Sequence, residues 1–364
     1  MSETTRITTL DGDKDFMAYV AQPEGEPRAA IVVIQEIFGV NAGIRRKCDL
    51  LAEDGYLAVA PDLFWQLGEG IELDPDIEPE FKQALDQHNF DMVVGFNKMP
   101  GLDLYYGADS CYVGDKGTQY PAIYKLTRRY KGRYSFEEAV FGVKSQTLIL
   151  SLSERQKSEY QEYYFTPNER FHLLPPTLDA SFSPITDRVH QREKLRVELD
   201  LPINDLLLMF IGSGFRTKGL DRGITALASL PIDIQERTSL IVVGDDDDEK
   251  QYRKQADRLS VSKQVFFLGG RSREDIPKLL AVGDLMVHPA HNENTGTVLL
   301  EAISAGLPVL ATDVCGYADH IKAAEAGIVL DSPFDQEALN SQLESMLTSP
   351  YHDRWSENGL IHPL

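Results

Sequence analysis

The stretch that decides the fold covers residues 288–316 and reads HPAHNENTGTVLLEAISAGLPVLATDVCG. Short apolar runs at 284–287 and 309–312 predict two strands. Between them, the small polar residues 294–297 predict the start of a helix, and the Gly-Leu-Pro turn at 306–308 predicts its end. Strand, helix and strand in this order predict a βαβ unit, and therefore a parallel sheet with helices packed on it.

Two carboxylates of this stretch, Glu293 and Glu301, indicate a ligand site. They are eight residues apart, which is about 800° of helical rotation, so both are predicted to lie on roughly the same face. The N-terminus of a helix favours an anion such as a diphosphate, and carboxylates accept hydrogen bonds from sugar hydroxyls. The same spacing also fits an amphipathic helix with two glutamates in solvent, so it leaves both interpretations open.

With the motifs around them, these residues resemble the donor site of the retaining glycosyltransferases of family 4, and within it the glucosyltransferases of the lipopolysaccharide core. The resemblance covers about 89–359, roughly three quarters of the chain. It implies two Rossmann-like α/β domains that face each other across a cleft, the GT-B arrangement, with ligand at the carboxyl ends of the strands. Four motifs carry it in order: NFDMVVGFNKMPGLDLYYGADSCY (89–112), RFHLLPPT (170–177), IGSGFRTKGLDR (211–222) and VLLEAISAGLPVLATDVCGYADHI (298–321).

The first 88 residues resemble a different family, the dienelactone hydrolases, through IVVIQEIFGVNAGIRRKCDLLAEDGYLAVAPDLFW (31–65) and the acidic run 72–86. A strand at 28–34, a helix at 44–54 with Asn41 as N-cap, and a second strand at 56–60 are predicted there. The chain is therefore interpreted as a chimera with a composite N-terminal domain. Its predicted parts are the hydrolase-like fragment 1–88, the rest of the acceptor domain 89–177, and the donor domain 178–364, truncated at its end relative to the family.

The hydrolase resemblance stops before the chemistry. That family uses a cysteine nucleophile in a G-x-C-x-G turn, and none of Cys48, Cys111 and Cys315 has this pattern. Glu36 matches the family's active-site glutamate but has no thiol beside it. A residual hydrolase of lactone-like esters stays an alternative function.

The resemblance also assigns the donor-binding residues. The predicted strand 206–211 leads into a glycine-rich turn, which brings backbone close to phosphate. Lys218 matches the family's lysine against the diphosphate, Glu293 would hold the donor sugar, and Glu301 the ribose. The donor-binding candidates are Gly214, Arg216, Lys218, Arg271 (where the family seats the nucleobase), Asn294, Thr295, Gly296, Thr297 and Glu301.

The implied reaction moves glucose from UDP-glucose to the heptose of the lipopolysaccharide inner core, without metal or cofactor. The catalytic candidates are Glu293, Asp103 and Asp109; the two aspartates lie in the acceptor-side motif, where either can equally cap a turn. The family's glycine-rich opening is missing, and the turn at 38–41 stands in its place. Transfer is therefore expected to be impaired, and a donor-binding chimera without transfer is the second alternative.

Bulk composition supports a two-domain protein of the cytoplasm. At 364 residues, two domains of about 150 residues each are expected. The formal charge of −21 opposes nucleic-acid binding, and the sequence shows no signal peptide or apolar run long enough to span a membrane. Three cysteines favour a reducing compartment. The acidic run 245–249 is predicted to be a solvated loop.

One segment, 116–133, is basic and contains no acidic residue. Cations attract anionic lipid headgroups, and the interleaved tyrosines suit a membrane interface. The resembling enzymes are peripheral membrane proteins, so docking on the inner face of the cytoplasmic membrane is predicted; an ordinary basic surface helix is the alternative. The predicted membrane-facing residues are Lys125, Arg128, Arg129, Lys131 and Arg133.

Overall fold

The chain divides into two compact α/β units, 1–174 and 175–364. The first is built on an eight-stranded sheet and the second on a six-stranded sheet, which confirms the predicted class of two Rossmann-like domains. The computed structural model describes residues 2–8, 15–34, 40, 42–62, 91–114, 122–178, 188–198 and 204–362.

The first unit has the strand order β1-β2-β4-β3-β5-β6-β7-β8, with strands β1 Ser2–Thr8, β2 Asp15–Ala21, β3 Ala30–Ile34, β4 Leu57–Pro61, β5 Met92–Gly95, β6 Leu104–Gly107, β7 Leu148–Ser151 and β8 Phe171–Leu173. Strands β1 and β2 run antiparallel to their neighbours, and the pairs from β4 to β8 are parallel. The helices are α1 Ala42–Glu53, α2 Arg128–Phe141 and α3 Glu154–Tyr164, with 3-10 turns at Ala122–Leu126 and Asn168–Arg170.

The hydrolase-like and transferase-like segments join in one sheet. Strand β3 of the first segment pairs in parallel with β5 of the second, in register from Ile31 opposite Met92 to Ile34 opposite Gly95. Val32 and Ile34 pack in the same buried cluster as residues of the transferase-like segment. Strand β3 is a continuous apolar run buried almost throughout, as expected for a central parallel strand.

The predicted elements of this fragment are present with small shifts at their ends. The predicted strands 28–34 and 56–60 correspond to β3 and β4, and the predicted helix 44–54 corresponds to α1. The proposed N-cap Asn41, the acidic run 72–86 and Glu36 lie outside the described residues, as does the turn 38–41 except Val40.

The second unit has the all-parallel order β11-β10-β9-β12-β13-β14, with strands β9 Leu206–Ile211, β10 Thr238–Val243, β11 Val265–Phe267, β12 Leu285–His288, β13 Val309–Thr312 and β14 Gly327–Leu330. Its helices are α4 Arg188–Glu198, α5 Phe215–Lys218, α6 Leu220–Ser229, α7 Ile232–Gln235, α8 Glu249–Arg258, α9 Ile276–Val282, α10 Thr297–Ser304, α11 Ala318–Ala324, α12 Gln336–Leu347 and α13 His352–Ile361.

Helices cover both faces of this second sheet. Met209 and Met286 belong to one buried cluster, whereas the adjacent Phe210 and Val287 belong to another, because successive side chains of a strand point to opposite faces. The chain runs outward from β9 to β11 and then continues on the other side of β9 with β12. The boundary between β9 and β12 is therefore the topological switch point, where open parallel sheets bind ligands.

Candidate active site

The predicted donor residues of the second unit collect at the carboxyl edge of its sheet. The short helix α5, which follows β9, ends at Lys218, and the loop after β12 carries Glu293. Their side chains form an ion pair, and both are largely buried. The structure thus brings together two residues that lie 75 positions apart, at the switch point where a ligand is expected.

Two glycines shape the loop after β9. Gly212 has a φ of +132°, and a Cβ there would lie 2.6 Å from Cε of Lys218. Gly219 has a φ of +80°, and a Cβ there would lie 2.0 Å from the carbonyl oxygen of Pro289. Since side chains rarely adopt these conformations, glycine allows Lys218 to lie back across the turn and the two loops to approach closely.

The surroundings of Glu293 stabilise the ionised form of its carboxylate. Burial alone would raise its pKa, but the interactions with His288 and Lys218 prevail and lower the pKa to about 2. His288 is fully buried at the end of β12, with Nε2 3.7 Å from Oε2 of Glu293. Glu293 is therefore ionised near neutral pH, as a hydrogen-bond acceptor for sugar hydroxyls must be.

Further contacts hold the two loops together. The backbone N–H of His291 donates to the carbonyl of Thr217 at 2.8 Å, and its ring Nε2 lies 3.0 Å from Oδ1 of Asp221. Arg222 donates to the carbonyls of residues 289 and 290 at 3.1 and 2.7 Å. Asp221 and Arg222 were not predicted as functional residues, although they are the last two residues of the motif 211–222.

Glu293 does not share a helical face with Glu301, so that prediction is wrong. Helix α10 begins at Thr297, while Glu293 lies in the loop before it and forms an isolated parallel bridge with Cys315. The backbone N–H groups of residues 316 and 317 donate to the carbonyls of Glu293 and Thr295 at 3.2 and 2.8 Å. Of the predicted helix start, only Thr297 is helical, and residues 294–296 form the turn that precedes it.

Glu301 lies inside α10 and is half-buried. Burial raises its pKa, and the charge of Arg273 opposes this only in part. The two predicted ligands of the donor therefore differ: the charge of Glu293 is compensated in the free protein, whereas the charge of Glu301 is disfavoured. A carboxylate in the latter state gains most from new hydrogen-bond donors.

The acidic run after β10 is only partly the predicted solvated loop: Asp245 is exposed in the loop as predicted, whereas Asp246 is half-buried and Glu249 begins α8. Asp245 accepts a hydrogen bond from the backbone N–H of Gly270 at 2.7 Å, and Asp246 accepts one from that of Phe215 at 2.7 Å. These aspartates fix the loops that present Arg271 and Arg216. Both arginines, and Gly214 in the same turn, are exposed.

In the first unit, the two candidate bases lie at opposite edges of the sheet. Asp103 precedes β6, and its carboxylate accepts a hydrogen bond from the backbone N–H of Val93 at 2.7 Å. Asp109 follows β6, and its carbonyl accepts from Gln156 at 2.9 Å and from Tyr160 at 3.1 Å. Because ligands bind at carboxyl edges, this placement favours Asp109 over Asp103 as a base.

A buried ion pair supports the loop that carries Asp109. Glu137 of α2 is fully buried and contacts Nζ of Lys98 at 2.5 Å. Its carboxylate also accepts from the backbone N–H of Tyr112 at 2.7 Å and from the hydroxyl of Tyr164 at 2.7 Å. Lys98 lies in the motif 89–112 and could have been predicted as a site residue from it. Glu137 lies outside the motifs, and no sequence pattern around it indicates its role.

The cysteines are placed as structural residues. Cys48 is fully buried in α1, and burial raises its pKa to about 12. Burial and the neighbouring Glu137 also raise the pKa of Cys111. Since the thiolate is the nucleophile, neither side chain is suited to the hydrolase chemistry. Within the described ranges, no cluster of His, Cys, Asp and Glu could hold a metal ion.

The basic segment forms a surface around the start of α2. Lys125, Arg128, Arg129 and Lys131 are exposed, whereas Arg133 is half-buried with its guanidinium 5.3 Å from the Tyr112 ring. Tyr130 is buried among other tyrosines, so it does not serve the predicted interface role. The exposed apolar residues are Ile123 and Leu126, 74% and 70% exposed. No helix in the described ranges is long and apolar enough to cross a membrane.

The fold and site define a glycosyltransferase with two α/β domains. Residues 191–361 match the family model of the glycosyl transferases group 1, and the chain belongs to this family. It is 43% identical over 276 residues to the lipopolysaccharide glucosyltransferase WaaG of Escherichia coli (strain K12), over 76% of this chain and 73% of that protein. A crystal structure of WaaG matches with a TM-score of 0.76 and 35% identity, over 91% of this chain and 94% of the other.

The opening of the chain matches a second family. Residues 16–95 match the dienelactone hydrolase family, and 73 residues are 48% identical to a putative carboxymethylenebutenolidase of Azospirillum brasilense, over 20% of this chain and 32% of that protein. The chain thus spans about a third of the length of that relative. It joins a hydrolase-like segment to a glycosyltransferase, as predicted. A sucrose-phosphate synthase from Thermosynechococcus elongatus, 19% identical with a TM-score of 0.69 over 92% and 93% of the two chains, shares the fold.

Proposed function

We propose that this protein is a retaining glucosyltransferase of lipopolysaccharide biosynthesis that moves glucose from UDP-glucose to a heptose of the inner core. The observation that carries the proposal is the meeting of Lys218 and Glu293 at the switch point of the second sheet. The similarity to WaaG, a lipopolysaccharide glucosyltransferase by name, supports the sugar and the pathway.

The chemistry follows from the charges of the site. Breaking the sugar–phosphate bond leaves negative charge on UDP, and Lys218, Arg216 and the amides around 295–297 would stabilise it; one well-placed donor of this kind contributes about 3 kcal/mol. Glu293 would accept hydrogen bonds from the sugar, and Glu301 from the ribose. Arg271 would lie beside the nucleobase, and Asp109 is the candidate base for front-face attack.

We expect UDP and UDP-glucose to bind without a metal, because Lys218 supplies the positive charge. Calorimetry in the presence of EDTA measures this directly. Lys218→Met should weaken binding at least tenfold, since it removes a charged hydrogen bond. Lys322→Met, at an exposed lysine that also pairs with an acid, is the matched control and should change nothing. Loss of wild-type binding on adding EDTA would contradict the metal-free site.

We also propose that the basic surface docks the protein on the anionic inner face of the cytoplasmic membrane. Two of the four exposed cations, Arg128 and Lys131, line a groove of about 440 Å³ together with Leu126, Gly132 and Ser135. Exposed Ile123 and Leu126 lie beside them and could enter the headgroup region.

Replacing Arg128, Arg129 and Lys131 by Ala should release the protein from anionic vesicles, because each cation near such a surface contributes about 1 kcal/mol. Sedimentation with phosphatidylglycerol-containing vesicles measures the bound fraction. The control replaces three other exposed cations of the first unit, Arg45, Arg46 and Lys144, with the same change in net charge. Equal binding of wild type to neutral and anionic vesicles would show an ordinary surface helix instead.

We propose, finally, that the hydrolase-like opening impairs transfer while the donor site stays intact. The family's glycine-rich acceptor turn is missing from the sequence, whereas the donor motifs from 212 to 312 are complete. If the impairment is total, the chain is a donor-binding protein without transfer. Hydrolase activity is the weaker alternative, because Cys48, the one cysteine of this segment, is buried and its pKa is raised.

A further inference from the structure

His288 is a fully buried polar side chain whose two ring nitrogens have no hydrogen-bond partner in the described part of the chain. Buried polar groups without partners are rare in proteins and require an explanation. The ring stacks on Phe210, with the centroids 6.3 Å apart and the planes at 21°. Its Nε2 lies 3.7 Å from Oε2 of Glu293, just beyond hydrogen-bond distance.

The same oxygen of Glu293 is occupied by Lys218. A donor diphosphate would compete for this ammonium group, and a lysine that moves to the phosphate leaves the carboxylate behind. The side chain of Glu293 is only 15% exposed, so water replaces the lost partner poorly. The side chain of Lys218 is more exposed than that of Glu293, at 21% against 15%, and it lies across Gly212.

We propose that His288 is a positioning residue, which becomes the hydrogen-bond partner of Glu293 when the donor diphosphate attracts Lys218. Its Nε2–H then donates to Glu293 and holds the carboxylate at the angle that the donor sugar requires. The inference rests on the proposed function. The approach needed is under about 1 Å, because a hydrogen bond of this kind is about 2.9 Å long.

The neighbouring groups support this exchange. Burial lowers the pKa of His288, and the charge of Lys218 adds to this effect, so the ring is neutral and has one N–H to donate. His291, the other histidine of this loop, is held by Asp221 at 3.0 Å and is not available to Glu293. The charged groups that act on His288 are Lys218 and Glu293.

The test is a double-mutant cycle on UDP affinity in the full chain. His288→Gln keeps an N–H near the position of Nε2, whereas His288→Asn keeps only one near Nδ1. We expect Asn to weaken UDP binding about tenfold, the effect of losing a hydrogen bond to a charged group, and Gln to restore most of it. In a Glu293→Gln background, the same Asn substitution should have little effect, because residue 293 then has no carboxylate charge for His288 to stabilise.

A structural role of His288 would give the same loss of affinity in both backgrounds, and additive effects therefore overturn the inference. His320→Asn, at a half-buried histidine of the same unit, is the control and should leave UDP affinity unchanged. If wild type binds no UDP, the proposed function fails together with this inference. If wild type binds UDP and His288→Asn binds it equally well, only the inference fails.

Discussion

Two glutamates of one motif have opposite electrostatic states. The pKa of Glu293 is lowered to about 2 although burial opposes this, because His288 and Lys218 stabilise its charge. The pKa of Glu301 is raised because burial dominates there. The sequence predicted both as ligands of the donor, but the partner of Glu293 is 75 positions away, so its state could not be read from the motif.

Low pH should destabilise the second unit through protonation of Glu293. Its ordinary pKa is 4.5 and its folded pKa is about 2, so between these values the unfolded chain binds more protons. The free energy of unfolding therefore falls as the pH drops from about 4.5 to about 2. A shift of this size is worth on the order of 3 kcal/mol at neutral pH.

Lys218→Met should remove much of this pH dependence, since burial then acts on Glu293 with less compensation. Urea unfolding at pH 7 and pH 3 would measure it, with Trp65→Phe as background so that Trp355, which packs in the second unit, reports alone. Lys322→Met should behave like the background. A pH dependence that is the same in all three proteins would show that Lys218 does not stabilise the charge of Glu293.

The strands were predictable because parallel strands are short, continuous apolar runs between breakers. Strand β9 occupies 206–211, as predicted, and the predicted strand 309–312 matches β13. The loops were less predictable because long-range contacts shape them. Glu293 is held by Cys315 rather than by the helix, and Asp245 and Asp246 are tied to residues of other loops.

Helix α2 supports the loop that carries Asp109, through Glu137. Glu137→Ala would leave Lys98 and the N–H of Tyr112 without their buried acceptor, and breaking such a pair costs about 3–5 kcal/mol. We expect the melting temperature of the first unit to fall by roughly 10 °C. Glu138→Ala, at the next and exposed position of the helix, should shift it by only about 1 °C. Similar shifts in calorimetric scans of both variants would contradict this role.

The two segments of different families fold into one sheet, which could not be predicted from the sequence. A fragment of one family and most of another share a single sheet, because β3 offers β5 an apolar parallel strand of matching length. The structural match to WaaG covers 91% of the chain, against 76% for the sequence match, so it extends into the hydrolase-like segment. We propose that this βαβ unit replaces the family's opening in packing but not in substrate binding.

We propose that donor binding is intact and that the first 88 residues limit transfer. The most direct measurement compares turnover of this chain onto a heptose acceptor with that of a version in which residues 1–88 are replaced by the opening of WaaG. Misplacing an acceptor by about 1 Å can cost about 100-fold, so the restored version should turn over about 100-fold faster with nearly the same UDP affinity. Equal turnover of the two proteins would contradict the account, because the hydrolase-like unit would then be a working substitute.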